Sequence, residues 1–360
     1  MFSTPMTELV ECSYPIIQAG MAGGPTTPEL VAAVSEAGGL GTIGAGYLTP
    51  EQIKRAIEDV RHLTGRPFAV NLFTPEPFSP PDETAARMNV WLNRYRERFQ
   101  LAPGAMPAKF QETFEAQLQV VLDERVPVFS FTFGIPSPEL IGKLKSEGIK
   151  LIGTATTVRE ALALEAAGID LIVAQGSEAG GHRGTFLGHY EDGLVGTMAL
   201  VPQIVAQVRT PVIASGGITD GRGIVASLAL GASGVQMGTA FLTCDESGAH
   251  EQHKRTILQS SEEDTTVTVA FSGKAARGIK NEFISDMAQY SGPIPDYPIQ
   301  NKLTQDIRKA AANANNPQYM SLWAGQALRL NRTQPAGKLI GEWMSEAAGT
   351  LQRLSHFRER

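Results

Sequence analysis

Asp170-Leu-Ile-Val-Ala-Gln-Gly-Ser-Glu-Ala-Gly-Gly-His-Arg-Gly184 is an apolar run that breaks into a glycine-rich loop carrying one histidine. The run Leu171–Gln175 has no polar alternation, as expected of a strand covered by helices on both faces. The glycines after it tolerate positive φ and let backbone N–H groups approach a ligand closely. A histidine beside such a nest stands where it can act on whatever the nest binds. The competing reading is a flexible turn with an incidental histidine, and the rest of the chain decides between them.

Outward from this stretch, short β-type runs alternate with helical patterns. The candidate strands are Pro15–Ala19, Leu40–Ala45, Phe68–Phe73, Val126–Phe133, Leu151–Ala155, Leu171–Gln175, Pro211–Ser215 and Gly234–Phe241. Between them the pattern predicts helices such as Thr27–Ala37, Pro50–Leu63, Ser137–Glu147, Thr157–Ala167 and Asp220–Leu230, several opening on an N-cap residue (Thr27, Thr49, Ser137, Thr157). Eight such units predict an α/β fold, a closed (β/α)8 TIM barrel, over an open doubly wound sheet. Two stretches break the rhythm. One starts proline-rich at Thr74 and turns charged and helical around Trp91–Phe99. The other includes Thr265–Ser272, which alternates like a strand, and the proline-dense 292–298. The expected organisation is therefore a barrel from 1–74, 111–246 and 302–360, with 75–110 and 247–301 as a small inserted substrate-covering subdomain. The helical tail from Leu303 supplies the last barrel helix.

With 360 residues the chain can bury a large core. A net charge of −6 with dispersed basic residues leaves no footprint for nucleic acid. No apolar run reaches the length of a membrane span, and the N-terminus lacks a signal-peptide pattern. The two cysteines, Cys12 and Cys244, are too few for a disulfide framework, so the expected home is the cytoplasm. Oligomeric state is not legible.

In a barrel, ligands bind at the C-terminal strand ends. Those ends carry Gly20, Gly44, Gly46, Asn71, Gln175-Gly176, Gly216-Gly217 and Gln236-Met-Gly-Thr239. The loops after the last two strands form the usual phosphate cup of this architecture. Neither holds a lysine or arginine, so backbone dipoles would do the holding. Asn71, Gln175 and Gln236 can each donate and accept, which suits a heterocycle with alternating carbonyls and ring nitrogens. Phosphate plus heterocycle points to flavin mononucleotide, FMN. The dinucleotide-like Gly39-Leu-Gly-Thr-Ile-Gly44 opens a strand instead of following one, so it is set aside. His250 and His253 lack a third ligand and are expected on a solvated helix face, with no metal site. Among the histidines, His182 is the candidate catalytic group, with His189 second. Chemistry carried by the cofactor while protein groups orient the substrate fits best.

At these motifs the chain resembles the nitronate monooxygenases of class I type, formerly called 2-nitropropane dioxygenases. The resemblance rests on 15–24, Ser130-Phe-Thr-Phe-Gly-Ile-Pro136, 175–184, Gly216-Gly217 and Leu322-Trp-Ala-Gly-Gln326. It implies a TIM-barrel FMN enzyme that oxidises alkyl nitronates, such as propionate 3-nitronate, with O2 to carbonyl compounds and nitrite through a flavosemiquinone. By that similarity Asn71, Gln175, Gly180, Gly181, Gly216, Gly217, Gln236, Met237, Gly238 and Thr239 would hold FMN, and His182 would be catalytic. One departure is Gly20, where many members carry proline. The alternatives are an FMN-dependent enoyl-acyl-carrier-protein reductase using NAD(P)H and a non-catalytic flavin-binding protein.

Overall fold

A computed structural model describes residues 3–356. Its strands are β1 (Ile16–Gln18), β2 (Gly41–Gly44), β3 (Phe68–Phe73), β4 (Val128–Thr132), β5 (Lys150–Ala155), β6 (Leu171–Gln175), β7 (Gly181–His182), β8 (Val212–Ser215), β9 (Gly234–Met237), β10 (Thr265–Thr268) and β11 (Ala276–Ile279). Eight of them form one all-parallel sheet in the order β1-β9-β8-β6-β5-β4-β3-β2. It closes where Ile17 bridges Leu40, with Gln18 N donating to Leu40 O and Leu40 N to Ile16 O. The protein is a (β/α)8 barrel. The last barrel strand is shorter than expected: beyond Gly238 the chain turns into the helix Thr239–Leu242.

Two-residue periodicity explains why the strands look apolar yet line a polar chamber. Ile16, Val70, Phe129, Ile172, Val212 and Val235 pack outward against the helices. Ile17, Ala69, Val128, Ile152, Val173 and Ile213 join Met6 and Val10 in a separate cluster inside the barrel. Met6 belongs to the N-terminal helix Pro5–Leu9, which therefore plugs the bottom of the barrel. One further step up six of the strands the inward residues turn polar: Asn71, Ser130, Thr154, Gln175, Ser215 and Gln236.

The outer helices start where their caps stand. Thr27, Thr49, Ser137 and Thr157 each accept from the N3 backbone N–H of the helix that follows, a bond whose loss costs about 1 kcal/mol. Phe114–Asp123 and Thr197–Val205 add to the ring, and the C-terminal helix Ala336–Ser355 packs on Gly221–Ala229 and Pro28–Glu36 as the last barrel helix. A second apolar cluster joins Met88, Leu92 and Tyr95 to Phe271, Phe283, Leu303, Ile307 and Tyr319. Within 303–328, which the sequence reading grouped with the barrel, Leu303, Ile307, Ala311, Tyr319 and Leu328 belong to this second cluster together with Tyr95 and Phe283. Above the barrel, β10, β11 and β7 make a small antiparallel sheet, tying the histidine loop to the segment 265–279.

Candidate functional site

Over the C-terminal strand ends lies a cavity of about 690 Å³, within the range of roughly 300–1,000 Å³ usual for cofactor sites. The polar ring of the barrel forms its floor. Asn71 Nδ2 donates to Ser130 Oγ at 2.9 Å. The Gln236 side chain has no protein partner among the described residues and lines the chamber. Gln175 differs from expectation. Its Nε2 donates to His182 O at 3.1 Å and its Oε1 accepts from Gly184 N at 2.8 Å, so the amide braces the histidine loop. Arg183, fully buried, braces the same loop from beneath by donating to the carbonyls of Gly176, Gln175 and Gly193.

The loop is also clasped from above by the 322–326 segment. Gln326 N donates to Glu178 O and Gly325 N to Thr239 Oγ1. The approach is so close that a Cβ on Gly180 would stand 2.5 Å from the carbonyl carbon of Ala324. This explains the late Leu322–Gln326 motif: it is the counterpart of 178–180, and Trp323 covers the histidine.

His182 sits between the rings of Trp323 (5.5 Å), Phe133 (5.8 Å) and Tyr297 (6.1 Å). Phe133 holds a left-handed φ of 80°, a conformation that costs on the order of 1–3 kcal/mol and concentrates at functional sites. The His182 Nε2 is 2.8 Å from Ser272 Oγ. Burial, reinforced by Lys274 and Arg308, pushes the imidazole from 6.5 down to about 3, so it is neutral at physiological pH. Positive charge nearby comes instead from those two cations. Lys274 Nζ is 2.8 Å from both Glu76 oxygens and 4.6 Å from the Phe133 ring centroid. Arg308 lines the cavity with Tyr47 and Tyr297, and burial pushes both phenols up.

At the expected phosphate cup, Gly216 and Gly217 have φ of 113° and 71°. The N–H groups of Gly217, Gly238 and Thr239 have no acceptor among the described residues. The helix Gly221–Ala229 does not contribute a free N-terminus: Asp220 accepts from Gly223 N and Glu346 from Gly221 N. The short helix behind Gly238 has no side-chain cap. Gly238 itself has φ −109°, so left-handed backbone is required at Gly217 and not there.

The flavin-site candidates and His182, namely Asn71, Gln175, Gly180, Gly181, His182, Gly216, Gly217 and Gln236 to Thr239, line this one chamber. Met237 does so from the barrel wall, with its side chain buried in the core. His189 lies outside it, at the start of the turn Tyr190–Gly193. His253 departs from expectation: it is buried, its Nε2 lies 3.0 Å from Trp323 O, and burial pushes it down to about 4. Ser130, Thr154, Ser272, Lys274, Arg308 and Tyr297 were missed. The first two were readable as polar residues at inward strand positions; the others come from segments that only folding brings over the barrel.

The nitronate monooxygenase family model matches residues 3–346. A probable nitronate monooxygenase of Staphylococcus saprophyticus is 52% identical over 98% of this chain and 99% of its own length, and one of Staphylococcus aureus is 51% identical over 96% and 98%. Among solved structures, nitroalkane oxidase from Streptomyces ansochromogenes superposes with a TM-score of 0.91 at 42% identity, over 98% of this chain and all of that one. FabK from Thermotoga maritima reaches 0.78 at 32% identity over 99% of both chains. No described helix is long and apolar enough to cross a membrane. The chain belongs to the nitronate monooxygenase family, flavin-dependent oxidoreductases acting on small molecules.

Proposed function

We propose that this enzyme is an FMN-dependent nitronate monooxygenase, oxidising alkyl nitronates such as propionate 3-nitronate with O2 to carbonyl compounds and nitrite. The observation that carries the reading is one chamber combining unpaired backbone N–H groups at Gly217, Gly238 and Thr239 with a neutral His182 flanked by Lys274 and Arg308. A flavin mononucleotide fits these residues: the unpaired N–H groups would take its phosphate, and Gln236, Asn71 and Ser130 its ring. Gly180 and Gly181 would line the ring side, with Gln175 holding their loop. Bound there, the flavin supplies the electron transfer.

The protein's own residues do the rest. Arg308, which lines the chamber, attracts and orients the nitronate anion, since opposite charge within a dry chamber is weakly screened. Because His182 is neutral, it offers the substrate a lone pair and not a cation. Trp323, Phe133 and Tyr297 exclude water around it. Segments 75–110 and 247–301, joined through Lys274 and Glu76, cover the substrate. The unpaired thiols of Cys12 and Cys244 support a reducing compartment, the cytoplasm.

The test is the absorbance spectrum of the purified protein, followed by oxygen uptake with an alkyl nitronate and no NAD(P)H. Released FMN and nitronate-dependent uptake are expected. Rapid NADH oxidation dependent on an enoyl thioester would assign the chain to the reductase reading instead.

A further inference from the structure

The turn that carries Ser272 is built to aim one hydroxyl at His182. Gln300 Nε2 donates to Ala270 O and Thr304 Oγ1 to Phe271 O, tying the turn to the helices behind it. Gly273 has φ 77° and packs directly on the Pro295–Tyr297 backbone; a Cβ there would stand 2.7 Å from Tyr297 N. The His182 backbone is held from both sides, by the ladder pairing with Ala276 and by Gln175. Ring and hydroxyl therefore meet through two segments of one small sheet.

A serine hydroxyl has one proton and two lone pairs. Here Ser272 Oγ lies 3.0 Å from Lys274 O and 3.3 Å from Lys274 N, and Lys274 O receives no other donor among the described residues. Donation to that carbonyl consumes the only proton. The two lone pairs then accept from Lys274 N–H and from the histidine, and all three groups are satisfied. If the histidine were instead an acceptor at Nε2, the Lys274 carbonyl would be left without its donor. Trp323, Phe133 and Tyr297 pack round the ring.

We propose that Ser272 is a positioning residue. Its hydroxyl, committed as donor to Lys274 O, accepts from His182 Nε2–H and fixes the tautomer that leaves Nδ1 as the ring's only proton acceptor. His182 Nδ1 has no partner among the described residues, so this lone pair is what the imidazole offers a substrate. Ser272 acts through the histidine, and its part in turnover rests on the function proposed above.

The tautomer is read without substrate, by 15N NMR of the flavin-loaded protein labelled at histidine, with His182→Gln used to assign the signal. The expected result is a protonated Nε2 and an unprotonated Nδ1 in the wild type, and a mixed or inverted pattern in Ser272→Ala. That variant should keep its flavin absorbance and its KM for nitronate, while kcat falls roughly tenfold or more, the usual scale for losing a group that orients a functional histidine. A proton on Nδ1 in the wild type overturns the assignment, as does wild-type kcat with an unchanged tautomer in Ser272→Ala. If the wild type shows the expected tautomer but oxidises no nitronate, the function fails and the role of Ser272 in fixing the ring stands.

Discussion

His182 is a single side chain whose surroundings decide its chemistry. Packed among three aromatic rings and near two cations, it is held well below its ordinary value of 6.5 and is neutral. The kcat/KM profile should accordingly show no inflection near 6.5 from this group; a limb there that vanishes in His182→Ala would contradict the neutral assignment. His182→Ala itself should retain flavin and lose on the order of a hundredfold in nitronate turnover, the scale of losing a group that positions the substrate. At the phosphate cup two glycines separate backbone from ligand effects. Gly217→Val forces a β-branched residue into left-handed backbone, which costs at least about 1–2 kcal/mol before any ligand binds. Gly238→Val does not, since φ is −109° and a Cβ meets only Ala19 and Met21, at 3.6 and 3.8 Å. Thermal melts of flavin-free Gly238→Val should match the wild type while its flavin is lost on gel filtration. Normal retention would move the phosphate elsewhere.

Elements matter here through what clasps what. The loop after β6 is braced from within by its own Arg183, and held at the side by β11 and above by the 322–326 segment, two elements far from it in sequence. Gly325 is a second point of close approach besides Gly180: a Cβ there would stand 2.7 Å from Glu178 O. Gly325→Val should therefore lift Trp323 and the segment off the loop, destabilise the flavin-free protein by about 1–3 kcal/mol and weaken flavin binding. Urea denaturation and flavin titration measure the two effects, and an unchanged midpoint would show that the clasp bears no strain. The sequence placed all eight barrel strands and their capped helices, because buried strands and N-caps are local patterns. It stretched the last strand through Phe241, since Gly238 and the apolar Ala240-Phe241 suit either a strand or a short helix.

Across the whole molecule, two desolvated, neutral histidines set a pH dependence. His182 and His253 titrate near 3 and 4 in the folded protein and near 6.5 when exposed. Below 6.5 the unfolded chain takes up protons that the folded one refuses. Their contribution to stability is thus complete above 6.5 and is lost progressively as pH falls towards 4 and then 3. Urea midpoints of flavin-free protein should fall with pH across this window, and less steeply in His253→Gln. An identical slope in that variant would mean that His253 is protonated in the native state.

The barrel, the glycine rim and the candidate histidine were legible in the sequence by itself, because period-two burial, helix caps and glycine-rich turns are written in neighbouring residues. The second cluster, the roles of Gln175 and Gly180 in holding the loop, and the burial of His253 were not. Each depends on segments such as 265–279 and 299–328 being folded back over the strand ends, and their apolar and polar patterns suit several docking arrangements equally well. Tertiary structure alone decided that Ser272, Lys274, Arg308 and Tyr297 face His182, and with them whether that imidazole is a cation or a neutral acceptor. A desolvated ring beside two positive charges has no counterpart in any local stretch of chain.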